Sequence, residues 1–140
     1  MKIYDGEGLL LGRLCSVVAK KSLLGEEIVI VNCDKVIISG GKRQVFANEK
    51  QKQERRGYPL KSAKRPRMSD RFVRRRVRGM LPWSQTRGKE AFKRVMCYTG
   101  VPEEFQGKDL LTIEAASMKK LPNLKFVTVN EVVKNLGGKQ

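Results

Sequence analysis

Hydrophobic positions along this chain repeat in two ways, and the change from one period to the other marks out its elements. Lys2-Ile3-Tyr4-Asp5 reads as a short strand. After a glycine-rich stretch, Leu14, Val17, Val18, Lys21 and Leu23 or Leu24 recur at helical spacing, and Gly25 ends that helix. Residues 27–32 form a continuous run, Glu-Ile-Val-Ile-Val-Asn, the pattern of a strand covered on both faces as in a parallel sheet. Val36-Ile37-Ile38 extends briefly, and Ser39-Gly40-Gly41 opens a polar helix running from Lys42 to about Arg56. A later helix ends in Ala91-Phe92-Lys93-Arg94 and feeds a strand at 95–98. A last strand at 125–129 leads into a short helix, 131–136, capped by Asn130 and closed by Gly137. Strands alternating with helices predict an α/β protein with parallel pairing. No repeat and no internal boundary divides residues 1–140, so a single domain is expected.

Composition changes this picture through charge. A length of 140 residues with 40% hydrophobic side chains suffices for one core, but a formal charge of +16 is far from that of an ordinary enzyme. Residues 42–94 carry 19 basic side chains against four acids, Glu49, Glu54, Asp70 and Glu90, whereas the remainder is nearly neutral. A neutral frame with a basic insert calls for a polyanionic partner, with nucleic acid as the first choice. An anionic membrane is the rival, yet no apolar run approaches the roughly 18 residues of a spanning helix. The opening MKIYDGEGLLLGRL does not read as a secretory signal. Cys15, Cys33 and Cys97 are odd in number and lie in apolar settings, with no CxxC and no histidine in the chain. That pattern argues against a metal site and predicts buried, reduced thiols in an intracellular protein.

Three features invite an enzymatic reading and do not sustain it. Gly6, Gly8 and Gly12 lie between a strand and a helix, with Asp34 after the next strand, but their spacing is one residue too long for a dinucleotide fingerprint. Gly40-Gly41-Lys42 lacks the outlying glycine and the Ser or Thr of a phosphate loop, since Val36 and Arg43 occupy those places. The acid pairs Glu26-Glu27 and Glu103-Glu104 are adjacent, so their carboxylates diverge, and without histidine the commonest general base is missing. No enzymatic activity and no cofactor are expected.

The densest charge lies in RPRMSDRFVRRRVRGMLPWSQTRGKEAF, residues 65–92. Ser69 and Asp70 suit the start of a helix, and Gly79 followed by Pro82 suits its end. Phe72, Val73, Val77 and Met80 form one apolar stripe, and Arg71, Arg74, Arg75 and Arg78 form the opposite face. One face docks and the other presents guanidinium groups, which bind phosphates bidentately and stack on bases. Arg74→Glu should therefore weaken nucleic-acid binding and leave the melting temperature almost unchanged. Residues 57–68 have no period, two prolines and several bases, which suggests an extended arm that is mobile alone and ordered on a nucleic-acid partner. Trp83 either stacks on a base or, as favoured here, packs against its own loop.

The wording of this region goes further. Val77-Arg78-Gly79-Met80-Leu81-Pro82, Arg87-Gly88-Lys89-Glu90-Ala91-Phe92 and residues 95–100 closely resemble the signature of the large-subunit ribosomal protein L-thirteen family, in its archaeal and eukaryotic branch. Leu11-Gly12-Arg13-Leu14, Val29-Ile30-Val31-Asn32 and Ile38-Ser39-Gly40-Gly41-Lys42 match as well. The resemblance implies a three-layer α/β/α fold with a four-stranded parallel sheet, to which the basic helix and arm are added. It implies a structural constituent of the large ribosomal subunit in the cytoplasm, with large-subunit rRNA and neighbouring ribosomal proteins as partners rather than a second copy of itself. The candidate rRNA-binding residues are Lys42, Arg43, Arg65, Arg67, Arg71, Arg74, Arg75, Arg78, Arg87 and Lys89, with Gly79, Pro82 and Gly88 setting the backbone.

Overall fold

A computed structural model describes residues 1–55 and 65–138. The central strand, β2 (Ile28–Val31), is buried at all four positions, as its unbroken apolar run predicts. It pairs in parallel with β1 (Lys2–Asp5) on one side and with a short strand at Val95–Cys97 on the other. Parallel neighbours need crossovers. Helix α1 (Leu11–Leu23) supplies the first, burying Leu11, Leu14, Cys15, Val18, Ala19 and Ser22 at spacings of three and four. It stops where the sequence says it should. Gly25 takes φ +98°, its N–H donates to the Ser22 carbonyl, and the Glu26 N–H donates to the Lys21 carbonyl. This is a Schellman closure, and the left-handed position is one that glycine occupies without penalty.

The chain continues through β3 (Ile37–Ser39), α2 (Lys42–Glu54), α3 (Ser69–Gly79) and α4 (Thr86–Lys93) before Val95–Cys97, here β4. It ends with β5 (Phe126–Thr128) and α5 (Val129–Asn135). Between β4 and β5 lie three single-turn 3-10 helices, Glu103–Phe105, Glu114–Ala116 and Met118–Lys120.

Two expectations about the sheet are corrected. Among the described residues the parallel sheet has three strands in the order β1-β2-β4, and the fourth place beside β1 holds a single bridge, Tyr4 to Leu111. β5 joins β3 instead, as an antiparallel pair with Ile38 opposite Val127. Nor, among the described residues, do helices cover both faces. Side chains from all five helices join one core with Tyr4, Ile28, Ile30, Val95 and Cys97. The alternate side chains Ile3, Val29 and Val31 form a separate cluster with Phe105, against which Tyr98 and Val101 pack, and the rings of Tyr98 and Phe105 are 5.6 Å apart. The second face is therefore closed by one 3-10 turn, because the 99–124 segment forms no α-helix to lay across it.

The cap of α5 is also corrected. Thr128, not Asn130, starts the helix: its hydroxyl accepts from the Glu131 N–H while the Glu131 carboxylate accepts from the Thr128 N–H, both at 3.3 Å. A Thr with Glu three residues on makes the reciprocal capping box that Asn130 cannot.

The three cysteines, distant in sequence, are free, buried and gathered in one core. Burial pushes the Cys15 thiol up to about 12. Cys97 is raised by its hydrogen bond to Cys33 and by burial. Neither presents a thiolate at neutral pH. Among the described residues no group of His, Cys, Asp and Glu could hold a metal ion, and no helix is long and apolar enough to cross a membrane. The 57–64 part of the expected arm lies outside the described residues.

Candidate nucleic-acid interface

α3 docks through Phe72, Val73 and Val77, all buried. Met80, assigned to the same stripe from its spacing, is 45% exposed, because the helix ends at Gly79 and the 3.6-residue period ends with it. Ser69 is the first helical residue rather than the cap, a shift of one position. Gly79 terminates the helix without a left-handed backbone. The residue that follows it, Met80, is right-handed at φ −97°.

The arginine face divides by what each head group touches. Arg71 and Arg75 are exposed. Arg74 and Arg78, one turn apart, fold back onto aromatic rings. The Arg74 guanidinium lies 4.4 Å from the Phe92 centroid and its Nε donates to the Val95 carbonyl at 3.0 Å. The Arg78 guanidinium lies 3.9 Å from the Trp83 centroid, and Trp83 meets Phe92 edge-on at 5.3 Å. Two arginines of α3 thus bracket a Trp–Phe pair that ties the 81–83 turn to α4, so Trp83 packs against side chains of α3 and α4 where packing against its own loop was expected. Arg74 is a docking residue as much as a surface one, so the expectation that Arg74→Glu spares stability is withdrawn.

Arg76, which lies outside the candidate arginine face, performs a different task. It pairs with Glu49 of α2, which also accepts from Lys52 at 2.8 Å, and its guanidinium lies 4.9 Å from the Phe72 ring. The Glu49 side chain is only 9% exposed. Burial pushes its carboxyl up, but hydrogen bonds from Lys52 and Arg76 and the Arg76 charge outweigh this and hold it below the usual range. A signal existed in the sequence: Glu49 stands four residues after Val45, the apolar residue that α2 buries, and so shares its inward face.

The remaining candidates are dispersed. Lys42 pairs with Glu131 at 2.9 Å, a hydrogen bond that lowers the Glu131 pKa, so Lys42 belongs to the α2–α5 contact. Its neighbour Arg43 is exposed. Arg87 and Lys89 are exposed on α4. Arg67 is exposed, and its guanidinium faces the Gln53 amide. Arg65, Arg75 and Arg78 converge on one hollow with Gly79, Leu81 and Trp83. Among the described residues from 65 to 94, only Arg76 of the basic side chains has a carboxylate partner. Asp34, the acid a dinucleotide would need, accepts from the Gly100 N–H at 3.3 Å and holds a turn.

The family described as ribosomal protein L13 matches residues 1–104. The chain belongs to the ribosomal protein L13 family. It is similar to the large ribosomal subunit protein uL13 of Archaeoglobus fulgidus, 44% identical over 96% of this chain and 86% of the relative. The uL13 proteins of Methanococcoides burtonii and Methanocaldococcus jannaschii are each 41% identical and covered over 99% of both chains. Membership of this family agrees with the expectation of a structural protein rather than an enzyme. Within the family fold, the resemblance read from the 77–92 wording coincides with α3, the 81–83 turn and α4.

The Glu49–Arg76 pair gives a first expected result. Glu49→Gln removes a nearly buried carboxylate and leaves Arg76 uncompensated, which should cost about 1–2 kcal/mol at neutral pH. Because the folded-state pKa is depressed, this contribution is fully present above the unfolded value of about 4.3 and fades as pH falls through the folded value. Urea unfolding should show a constant gap between the parent and Glu49→Gln from pH 6 to 8 and a narrowing gap below about pH 4. A gap independent of pH would show that the carboxylate charge contributes nothing.

Proposed function

We propose that this chain is a structural constituent of the large ribosomal subunit in the cytoplasm, where it binds large-subunit rRNA and steadies its fold during assembly. The observation that carries the reading is an array of arginines without acids to neutralise them, fixed on a helix whose other face is locked into the core. Arg71 and Arg75 stand free on α3, and Arg78 is held in place by Trp83. Arg43, Arg65, Arg67, Arg87 and Lys89 extend the array; Lys42 and Arg74 join it while also serving internal contacts. Such groups bridge phosphates of neighbouring RNA helices and relieve their repulsion, and A-form RNA is read chiefly through shape, phosphate and 2′-hydroxyl contacts, so no base-reading element need enter a groove. Other large-subunit proteins would be the remaining neighbours, with one copy of this chain per subunit.

Charge reversal separates binding from folding. The double variant Arg71→Glu, Arg75→Glu should lose about ten- to a hundredfold in affinity for large-subunit rRNA, because charge-assisted contacts are lost, while stability changes by no more than about 0.5 kcal/mol. Arg74→Glu should lose affinity and also about 1–2 kcal/mol of stability, since the Val95 hydrogen bond and the Phe92 stack go with it. Unchanged affinity in the double variant, measured by filter binding, would remove α3 from the interface.

A further inference from the structure

We propose that the hollow between the end of α3 and the 81–83 turn receives a single unstacked nucleotide of the RNA. The inference rests on the rRNA-binding reading and adds to it a defined pocket and a conformation for the ligand. The hollow measures about 350 Å3 and is lined by Arg65, Arg75, Arg78, Gly79, Leu81 and Trp83, with no acid among them. That is near the lower end of ligand-pocket sizes, roughly 300–1,000 Å3, which suits one nucleotide and not a helix. Two further observations point to an occupant. Arg65 is only half-buried and lines the hollow, and among the described residues its Nε has no hydrogen-bond partner, so this guanidinium keeps a donor to spare when it turns toward an acceptor. Gly79, the last residue of α3, is exposed at the edge of the hollow, and a Cβ there would meet nothing within 4 Å, so a ligand in the hollow can approach the bare backbone at this point.

The chemistry of the wall assigns the parts of the nucleotide. Arg65 and Arg75 supply donors for its phosphate. Arg78, stacked on Trp83 and fixed there, offers the flat guanidinium and ring surface on which a base stacks. A base paired within an A-form helix cannot reach this surface, so the nucleotide must be extruded or come from a loop or bulge.

The test uses large subunits containing the full-length chain, irradiated with ultraviolet light, digested and analysed by mass spectrometry. The tryptic peptide 79–87 should carry one nucleotide at Trp83, from a position that base-specific probes modify in protein-free rRNA and not in the subunit. Gly79→Leu, which fills the wall with a good helix former, should remove that crosslink and weaken rRNA binding about tenfold without lowering the melting temperature. Gly79→Ala, a smaller intrusion, should fall between it and the parent and serves if the leucine variant folds poorly. Parent-like affinity in both variants, or a crosslink to a base-paired nucleotide or to another protein, overturns the pocket and leaves the wider arginine surface standing. Failure of the parent chain to bind rRNA at all overturns the proposed function and this inference with it.

Discussion

Gly88→Ala is expected to destabilise the protein by about 2–3 kcal/mol, a fall in melting temperature on the order of 10 °C. Gly88 is buried in the first turn of α4, where an alanine would ordinarily favour the helix by about 1 kcal/mol. Here the helix lies against the Pro82 backbone. A Cβ at position 88 would come within 2.1 Å of the Pro82 carbonyl oxygen and 2.5 Å of its carbon. That oxygen cannot swing away cheaply, because it accepts from the Gln85 N–H at 3.1 Å and so closes the turn that leads into α4. Relief requires α4 to move outward, which parts Phe92 from Arg74 and Trp83 and loosens the stack on which the arginine face depends. Gly88→Ala should therefore lose rRNA affinity as well as stability, whereas Gly79→Ala, with open space around its Cβ, should keep its melting temperature. Thermal unfolding of the two variants side by side checks the contrast, and equal melting temperatures would mean that the Pro82 contact yields freely.

Affinity for large-subunit rRNA is expected to collapse with salt. Neutralising about six phosphates gives a slope of log affinity against log salt of roughly −4 to −5, so binding should weaken by about 250- to 1,000-fold between 50 and 200 mM monovalent salt. The magnitude follows from the unpaired side chains. Each arginine or lysine without a carboxylate displaces condensed counterions when it meets a phosphate, whereas Lys42 and Arg76 must first give up Glu131 and Glu49. Arg71→Glu, Arg75→Glu should accordingly flatten the slope, and Glu131→Gln, which frees Lys42, should steepen it slightly. Titrations across a salt series measure both. A slope near zero would contradict the electrostatic reading of the whole basic insert.

The sequence by itself determined the places of the elements, the stop of α1 at Gly25, the segregation of charge into 42–94 and the docking stripe of Phe72, Val73 and Val77. These are local properties. A period of 3.6 or an unbroken β-branched run is set by which face of an element is covered, and it is written in the order of the residues. The family wording of 77–92 was legible for the same reason. Only the tertiary structure decided what covers each face and what each long side chain reaches. Strand partners depend on contacts between residues distant in sequence, so β5 could be recognised as a strand but not placed against β3. The second face of the sheet is apolar enough for a helical layer, yet it is Phe105 that closes it. An arginine's position on a helix does not say where its guanidinium goes, since the stem spans more than a helical turn and the head group settles on whatever ring, carbonyl or carboxylate lies within reach. That freedom sends Arg74 to Phe92 and Val95 and Arg76 to Glu49, while Arg71 and Arg75 remain in solvent. It also separates two glycines of one motif: Gly88 is held by a carbonyl from another turn, and Gly79 borders an open hollow.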